Sequence, residues 1–545
     1  MKKILTTMLP SLLLALQLAS AASASSTVQV QADSSSKQIV IEGTSDANQQ
    51  VTVFVANPDG GIDYLDQIQA DSTGHYQFSY KSRGGYGQYS VSVGGTGTNT
   101  PVKTNFLLSD ATPTTPSTPT PNDDKPTSSF PPSNSDNVII TREKGSNGIE
   151  VAKVSVPAKA LADGLSKAKE LANGGQPIFK IEVKDAGSVK VELPAASIFD
   201  AGKTVPNGII SIQGKYAAYE LPVSAIDVSK IAQSLGVGLK DMKLMVRIDP
   251  VSDAAITTIQ GSASHNSTKL LTSPVEFSLI VEAGGKQQEI TSFNSFVSRS
   301  LELPTAPNLS LTTGVWFDPD TGDAKFVPTE LKTFDGKYQA IIKRKGNSAY
   351  GVIEYSKTFG DITGHWAQKD IELMASKLVL KGVTDETFAP ENRVTRAEFA
   401  TLLVRALGLA DNPKAAAFSD VNGGDWYAGY IGAAVEAGLV SGFDNHTFHP
   451  NENITREQMA TMVASAIRVA GVSVDVVGKQ DTLLATFKDR GAISGWAASS
   501  IAQSVKAGVI QGMADREFMP SDTASRAQAA VMLKRMLQYV NFLNE

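Results

Sequence analysis

The hydrophobic pattern changes period along the chain. From about Ser26 to Leu108 apolar and polar residues alternate in short runs: "TVQVQA", "QIVIEG", "QVTVFVAN", "HYQFSYKS" and "QYSVSVGG". Alternation at period two marks strands with one face on a core. Turn residues such as Asp71-Ser72-Thr73-Gly74 separate the runs, so this stretch is expected to be an all-β sandwich. After Thr358 the period becomes helical. Phe399, Leu402, Leu403, Ala406 and Leu407 fall on one helix face. Met459, Met462, Val463, Ala466 and Ile467 repeat that face, and Ala529, Met532, Leu533, Met536 and Leu537 repeat it again.

Residues 137–357 mix the two periods. A strand runs into a proline and a helix-like stretch in "VSVPAKALADGL" at Pro157, "VELPAASIFDAG" at Pro194 and "YELPVSAIDVSKIAQSL" at Pro222. Proline suits a helix start, where its missing N–H would go unpaired anyway. Strand-rich runs follow, with a hairpin expected at "VWFDPDTGDAKFVP", and the whole reads as an α+β region.

The helical part is a repeat. Phe388, Phe448 and Phe518 lie 60 and 70 residues apart, and the interval from Trp366, Trp426 or Trp496 to Arg396, Arg456 or Arg526 is 30 in each unit. Each unit opens with Phe-x-Asp (Asp361, Asp420, Asp489). It then runs through a first helix to a stop at Gly382, Gly442 or Gly512 and enters a second helix. A helical hairpin of this size cannot bury its own apolar face, so the three are expected to pack together.

The second helix begins each time with a hydroxyl residue, an arginine and an acid or amide: Thr395 with Glu398, Thr455 with Gln458, Ser525 with Gln528. These pairs read as capping boxes, each side chain taking a free N–H of the other's backbone. The arginine does not fit so simply. A cation at a helix N-terminus opposes the helix dipole by a few tenths of a kcal/mol. Arg396, Arg456 and Arg526 therefore need an anionic partner. Either an external carboxylate or phosphate, which a guanidinium fork grips bidentately, or the repeated Asp361 supplies it.

Composition narrows the partners. The 545 residues carry a formal charge of -6 and no cysteine, which excludes a disulfide framework and disfavours a nucleic-acid binder. Lys2, Lys3, an apolar run and Ala22-Ser23-Ala24 read as a secretory signal peptide over residues 1–24. No later apolar run reaches the roughly 18 residues that span a bilayer. The proline- and threonine-rich stretch 109–136 has little to bury and reads as an extended linker. From Thr358 onward 17 Lys+Arg face 21 Asp+Glu, so a polyanion would be held by local sites and not by a general positive field.

The units at 358–411, 417–471 and 486–541 resemble the S-layer homology family along their whole length. The motif stands as Thr-Arg-Ala-Glu, Thr-Arg-Glu-Gln and Ser-Arg-Ala-Gln. Residues 26–108 resemble a bacterial immunoglobulin-like module. The fold class expected is thus multidomain: an N-terminal immunoglobulin-like sandwich, a central α+β region and a C-terminal all-α, pseudo-trimeric bundle of repeats. The resemblance implies an exported protein on the cell wall or S-layer of a Gram-positive bacterium. Its inter-repeat grooves would bind anionic, pyruvylated secondary cell-wall polysaccharide linked to peptidoglycan. By the same resemblance Arg396, Arg456 and Arg526 would hold carboxylate, and Trp366, Trp426 and Trp496 would face a sugar ring or join the core. Asp361, Asp420 and Asp489 would accept hydroxyls or orient an arginine. Gly382, Gly442 and Gly512 would admit the ligand closely. Self-assembly at the surface is a further implication.

Catalytic motifs are scarce. No Gly-x-Ser-x-Gly elbow or His-Glu-x-x-His occurs. Ser166 and Lys169 sit in a charged helix, Asp318–Asp323 lacks the closing glutamate of a calcium loop, and His446 and His449 lack a third ligand. The expectation is a structural or adhesive wall protein with no enzymatic activity, no cofactor and no metal. The alternative is a tethered polysaccharide-degrading enzyme or a carbohydrate-binding accessory.

Overall fold

The computed structural model describes residues 27–108 and 138–544, apart from short breaks within each stretch. The signal-peptide and linker segments lie outside the described residues. The chain divides into two compact units, Met1–Thr127 and Ser128–Glu545.

In the first unit, strands Thr27–Asp33, Gln38–Thr44 and His75–Lys81 form one antiparallel sheet. Ile62–Gln69, Gln50–Ala56, Gly87–Gly95 and Val102–Leu108 form another. Alternate residues of both, among them Ile39, Ile41, Val53, Phe78 and Val91, meet in one core. The immunoglobulin-like expectation is met only to this extent.

The second unit corrects the rest of the expected fold class. Among the described residues there is more strand than helix, 34% against 28%. Its central part is built on two large sheets. One has six strands, running from Ile178–Glu182 at one edge to Thr329–Phe334 at the other; the second has ten and runs from Ala324–Phe326 to Ile139–Lys144. Each sheet holds one parallel pair, Ile178–Glu182 with Ile209–Gln213 and Glu150–Ser155 with Ser188–Pro194. Parallel neighbours need a crossover, and helices Ala158–Leu171 and Ala195–Thr204 lie on the two crossovers. Pro157 and Pro194 immediately precede these helices. The third helix starts later than its proline, at Val228, because Asp227 caps it by accepting from the Lys230 N–H.

The C-terminal part is a region of helices, but it is neither all-α nor a separate bundle. Each repeat holds a first helix (Gln368–Ser376, Ala428–Glu436, Gly495–Lys506) and a second (Arg396–Ala406, Arg456–Val469, Arg526–Tyr539). Extended residues before the second helices pair as β-bridges between repeats: Thr395 with Asn453, Thr455 with Thr523 and Arg393 with Ser525. The reason is general: buried extended backbone must find hydrogen-bond partners. The capping boxes of Thr395/Glu398, Thr455/Gln458 and Ser525/Gln528 are formed.

Nor do the repeats stand apart from the central sheets. One apolar core takes in Phe399, Met459, Met532 and, from the central region, Phe326. Lys377 is buried and donates to the carbonyls of Leu309 and Thr312, and Arg344 donates to the Gly408 carbonyl. The C-terminal segment lies along the strand Thr329–Phe334. The Thr329 N–H donates to the Phe542 carbonyl, and the Asn544 amide pairs with both backbone groups of Leu331.

Candidate functional site

The three arginines all reach into a neighbouring repeat. Arg396 donates from Nε to the Phe448 carbonyl and from Nη2 to the Ser441 carbonyl, each at 2.9 Å. Arg456 donates from Nε to the Phe518 carbonyl at 2.6 Å. Arg526 closes the ring on the first repeat, giving Nε to Phe388 and Nη2 to Lys381. Each guanidinium also lies over the ring of its phenylalanine, at 4.7, 5.3 and 4.6 Å respectively.

Among the described residues none of these arginines forms an ion pair. Arg396 and Arg456 are only 8% and 7% exposed, so their charges stand nearly desolvated against carbonyl dipoles. Burial lowers all three pKa values, that of Arg396 to about 10. Glu452 opposes the shift at Arg396, Asp522 and Asp489 at Arg456, and Glu398 and Asp361 at Arg526.

The helix mouths themselves are already occupied. The N–H groups of Arg396 and Ala397 donate to Glu452 and Pro450. Those of Arg456 and Glu457 donate to Asp522 and Pro520, and those of Arg526 and Ala527 to Asn392 and Pro390. With the capping hydroxyl taking the next N–H, an incoming anion would meet guanidinium and not free backbone.

The repeated aspartates hold the other end of the same loops. Asp361 accepts from the N–H groups of Phe388 and Ala389, Asp420 from Phe448 and His449, and Asp489 from Phe518 and Met519, all within 2.6–2.8 Å. Aspartate and arginine thus grip opposite ends of one phenylalanine. The residue after it is left-handed each time, with φ of 57° at Ala389, 58° at His449 and 55° at Met519. That conformation is costly for a residue with a Cβ, and the carboxylate bond at its N–H compensates. Burial pushes the Asp361 and Asp420 carboxyls up, but these N–H groups outweigh it and hold both below the usual range.

The tryptophans lie on the surface: Trp366, Trp426 and Trp496 are 63%, 59% and 59% exposed, which removes the core alternative. The glycines leave no room above them for a ligand. A Cβ on Gly382 would sit 2.2 Å from the Thr384 carbonyl oxygen and 2.6 Å from the Phe359 ring; one on Gly512 would sit 2.7 Å from Phe487. They are glycine because their own repeat packs against them. Only Gly512 is left-handed, at 76°, and only its groove lacks the second carbonyl bond to an arginine among the described residues.

Elsewhere, Ser166 is exposed on its helix and Lys169 donates to the Thr204 carbonyl. Asp318 accepts from the N–H groups of Asp320 and Thr321 and pairs with Lys325, as a turn does. His449 bonds Glu452. Sequence reasoning missed the phenylalanine carbonyls and the Phe443 ring, 5.0 Å from Arg396. The regular spacing of Phe388, Phe448 and Phe518 was the signal available for the carbonyls.

Comparison with known proteins matches residues 358–400, 417–460 and 486–530 to the S-layer homology domain. An amylopullulanase of Thermoanaerobacterium thermosulfurigenes is 29% identical over 381 residues, 68% of this chain and 18% of that protein. Exoglucanase XynX of Acetivibrio thermocellus is 33% identical over 287 residues, 52% of this chain and 25% of that protein. A cellulosome-anchoring protein of the same species is 32% identical over 165 residues, 29% of this chain and 35% of that protein. The chain therefore spans a fifth to a third of these relatives' lengths. The first two names overturn the expectation of a protein with no enzymatic connection, since they point to glycoside hydrolases. A search for motifs could not have seen this, because glycosidase carboxylates are spaced in three dimensions and not along the chain.

Proposed function

We propose that this chain, a member of the S-layer homology proteins by its three C-terminal repeats and anchored at the cell surface, serves polysaccharide degradation there. It would act as a tethered hydrolase or as the carbohydrate-binding accessory of one. S-layer homology domains bind secondary polymers of the cell wall. In this chain the ligand would be the acidic, pyruvylated polysaccharide, met by Arg396, Arg456 and Arg526.

One observation carries the anchoring half: the buried guanidinium groups of Arg396 and Arg456 and the half-buried one of Arg526 face carbonyls and rings, with no acid in ion-pair contact among the described residues. An uncompensated buried charge is expensive, and a ligand carboxylate would compensate it. Trp366, Trp426 and Trp496 supply exposed flat faces for sugar, and Asp361, Asp420 and Asp489 hold the groove loops in shape.

The degradative half is supported by the length of the amylopullulanase alignment. It exceeds the stretch from Thr358 to the end, so it takes in part of the central region. Sedimentation of the full chain with purified wall, before and after chemical removal of pyruvate, tests the first half. Reducing-sugar release from xylan, pullulan and β-glucan tests the second. Release from none of them, together with no binding to any, would sink it.

A further inference from the structure

Where the first repeat meets the central sheets, the surface folds inward into a cleft of about 780 Å³. That lies within the range of ligand sites, roughly 300–1,000 Å³. One wall is the helix Asp253–His265 with the hairpin of Thr312–Phe317 and Ala324–Phe326. The other is the segment that follows the helix Gln368–Ser376, joined by the stretch around Arg405 and Asp411.

The walls are locked together. The Lys377 bonds to Leu309 and Thr312 and the Arg344 bond to Gly408 tie one side to the other. The hairpin sits so close to its helix that a Cβ on Gly322 would come 2.8 Å from the Thr258 backbone. A preformed cleft of this kind requires no closure on binding, which favours affinity.

Its lining is chemically mixed. Six aromatic residues line it: Phe317, Phe326 and Phe359 are buried, and Trp316, Tyr355 and Tyr430 are half-buried. Two of the half-buried rings are held by cations: the Arg344 guanidinium stands 4.2 Å over Trp316, and Arg405 stands 4.8 Å over Tyr430 and donates to its hydroxyl. Asp385 and Asp411 are exposed and make no hydrogen bond or ion pair among the described residues. Lys357, Lys381 and Arg405 face the same space. A strongly anionic ligand would be opposed by the carboxylates and a cationic one by the lysines and arginine. A polyhydroxylated neutral ligand suits both, because each hydroxyl can donate to a carboxylate and accept from an ammonium or guanidinium.

We propose that this cleft binds a neutral oligosaccharide, at a site separate from the arginine grooves. The proposal rests on the reading of the chain as a glycan-directed surface protein and adds a second kind of sugar to it. The segment Lys381–Asp385 serves both places: its Lys381 carbonyl takes Arg526, and the segment itself lines the cleft. The ligand could be a soluble substrate chain or a neutral stretch of the wall polymer.

Calorimetric titration of the full chain with xylohexaose, cellohexaose and maltohexaose decides. At least one is expected to bind. The pair Asp385→Asn and Asp411→Asn should weaken it at least tenfold, and Ala263→Trp, which fills the cleft from the helix side, should do the same. Wall sedimentation unchanged in these variants assigns the cleft to soluble glycan; a parallel loss assigns it to the wall polymer. Equal affinity in wild type and both variants, or loss of hexasaccharide binding in an Arg396→Lys, Arg456→Lys and Arg526→Lys variant alone, would overturn the cleft and leave the anchoring reading standing. A chain that sediments with wall yet binds no hexasaccharide would do the same. A wild-type chain that neither sediments nor titrates would end both.

Discussion

Arg526 donates from Nε to the carbonyl of Phe388, 2.9 Å away and 138 residues earlier in the chain. This bond brings the last repeat back to the first. At the other end of the same phenylalanine Asp361 accepts the N–H, so the loop is held from two repeats at once.

Replacing Arg396, Arg456 and Arg526 together by lysine should keep the positive charges and lose the forks. A lysine cannot reproduce a planar bidentate contact. Wall sedimentation is expected to fall at least tenfold while the circular dichroism spectrum stays that of wild type. The alanine triple variant should also lose stability, because buried carbonyls left unpaired cost about 1–3 kcal/mol each. Undiminished sedimentation of the lysine variant would remove the arginines from the binding site.

Substituting alanine at Trp366, Trp426 and Trp496 should separate binding from folding in the opposite sense. The rings are exposed, so the stability should change by no more than about 0.5 kcal/mol per site and the melting temperature should move little. Wall affinity should drop. A large fall in melting temperature would show that these rings support the fold.

Asp361 and Asp420 carry an acid dependence. Their carboxyls are held below the unfolded range, so the charged form is favoured in the folded state. Their contribution is present above the unfolded pKa of about 3.9 and is lost as pH falls through the folded value. Asp361→Asn should lower the melting temperature at pH 6, and the gap to wild type should narrow at pH 3. A constant gap would contradict the assignment.

Lys377 works at the alkaline end. Burial pushes its ammonium down to about 7, so between there and the unfolded value near 10.4 the unfolded chain binds the extra proton. Stability therefore rises with pH across that window. Thermal melts from pH 7 to 9.5 should show the rise, and Lys377→Met should reduce it. Lys343 and Lys345, also lowered by burial, act in the same direction and should leave part of the slope. An unchanged slope in the variant would free Lys377 of this role.

A Cβ at Gly382 should be destructive. It would overlap the Thr384 carbonyl oxygen and the Phe359 ring, so Gly382→Ala is expected to destabilise the first repeat, lowering the melting temperature by several degrees. A neutral result would mean the loop can shift.

What could be read along the chain was whatever is local. The helix faces of Phe399, Met459 and Met532 and the pairings of Thr395 with Glu398 and Ser525 with Gln528 involve residues three or four apart, where periodicity and capping chemistry speak directly. Tertiary structure decided the rest. The carbonyl that Arg526 meets, the ring that excludes a Cβ at Gly382, and the crossovers of the central sheets all join residues far apart in sequence. Propensity has no access to such pairs, because a hydrogen-bonding group specifies the kind of partner it needs and only the folded chain determines which one stands within reach.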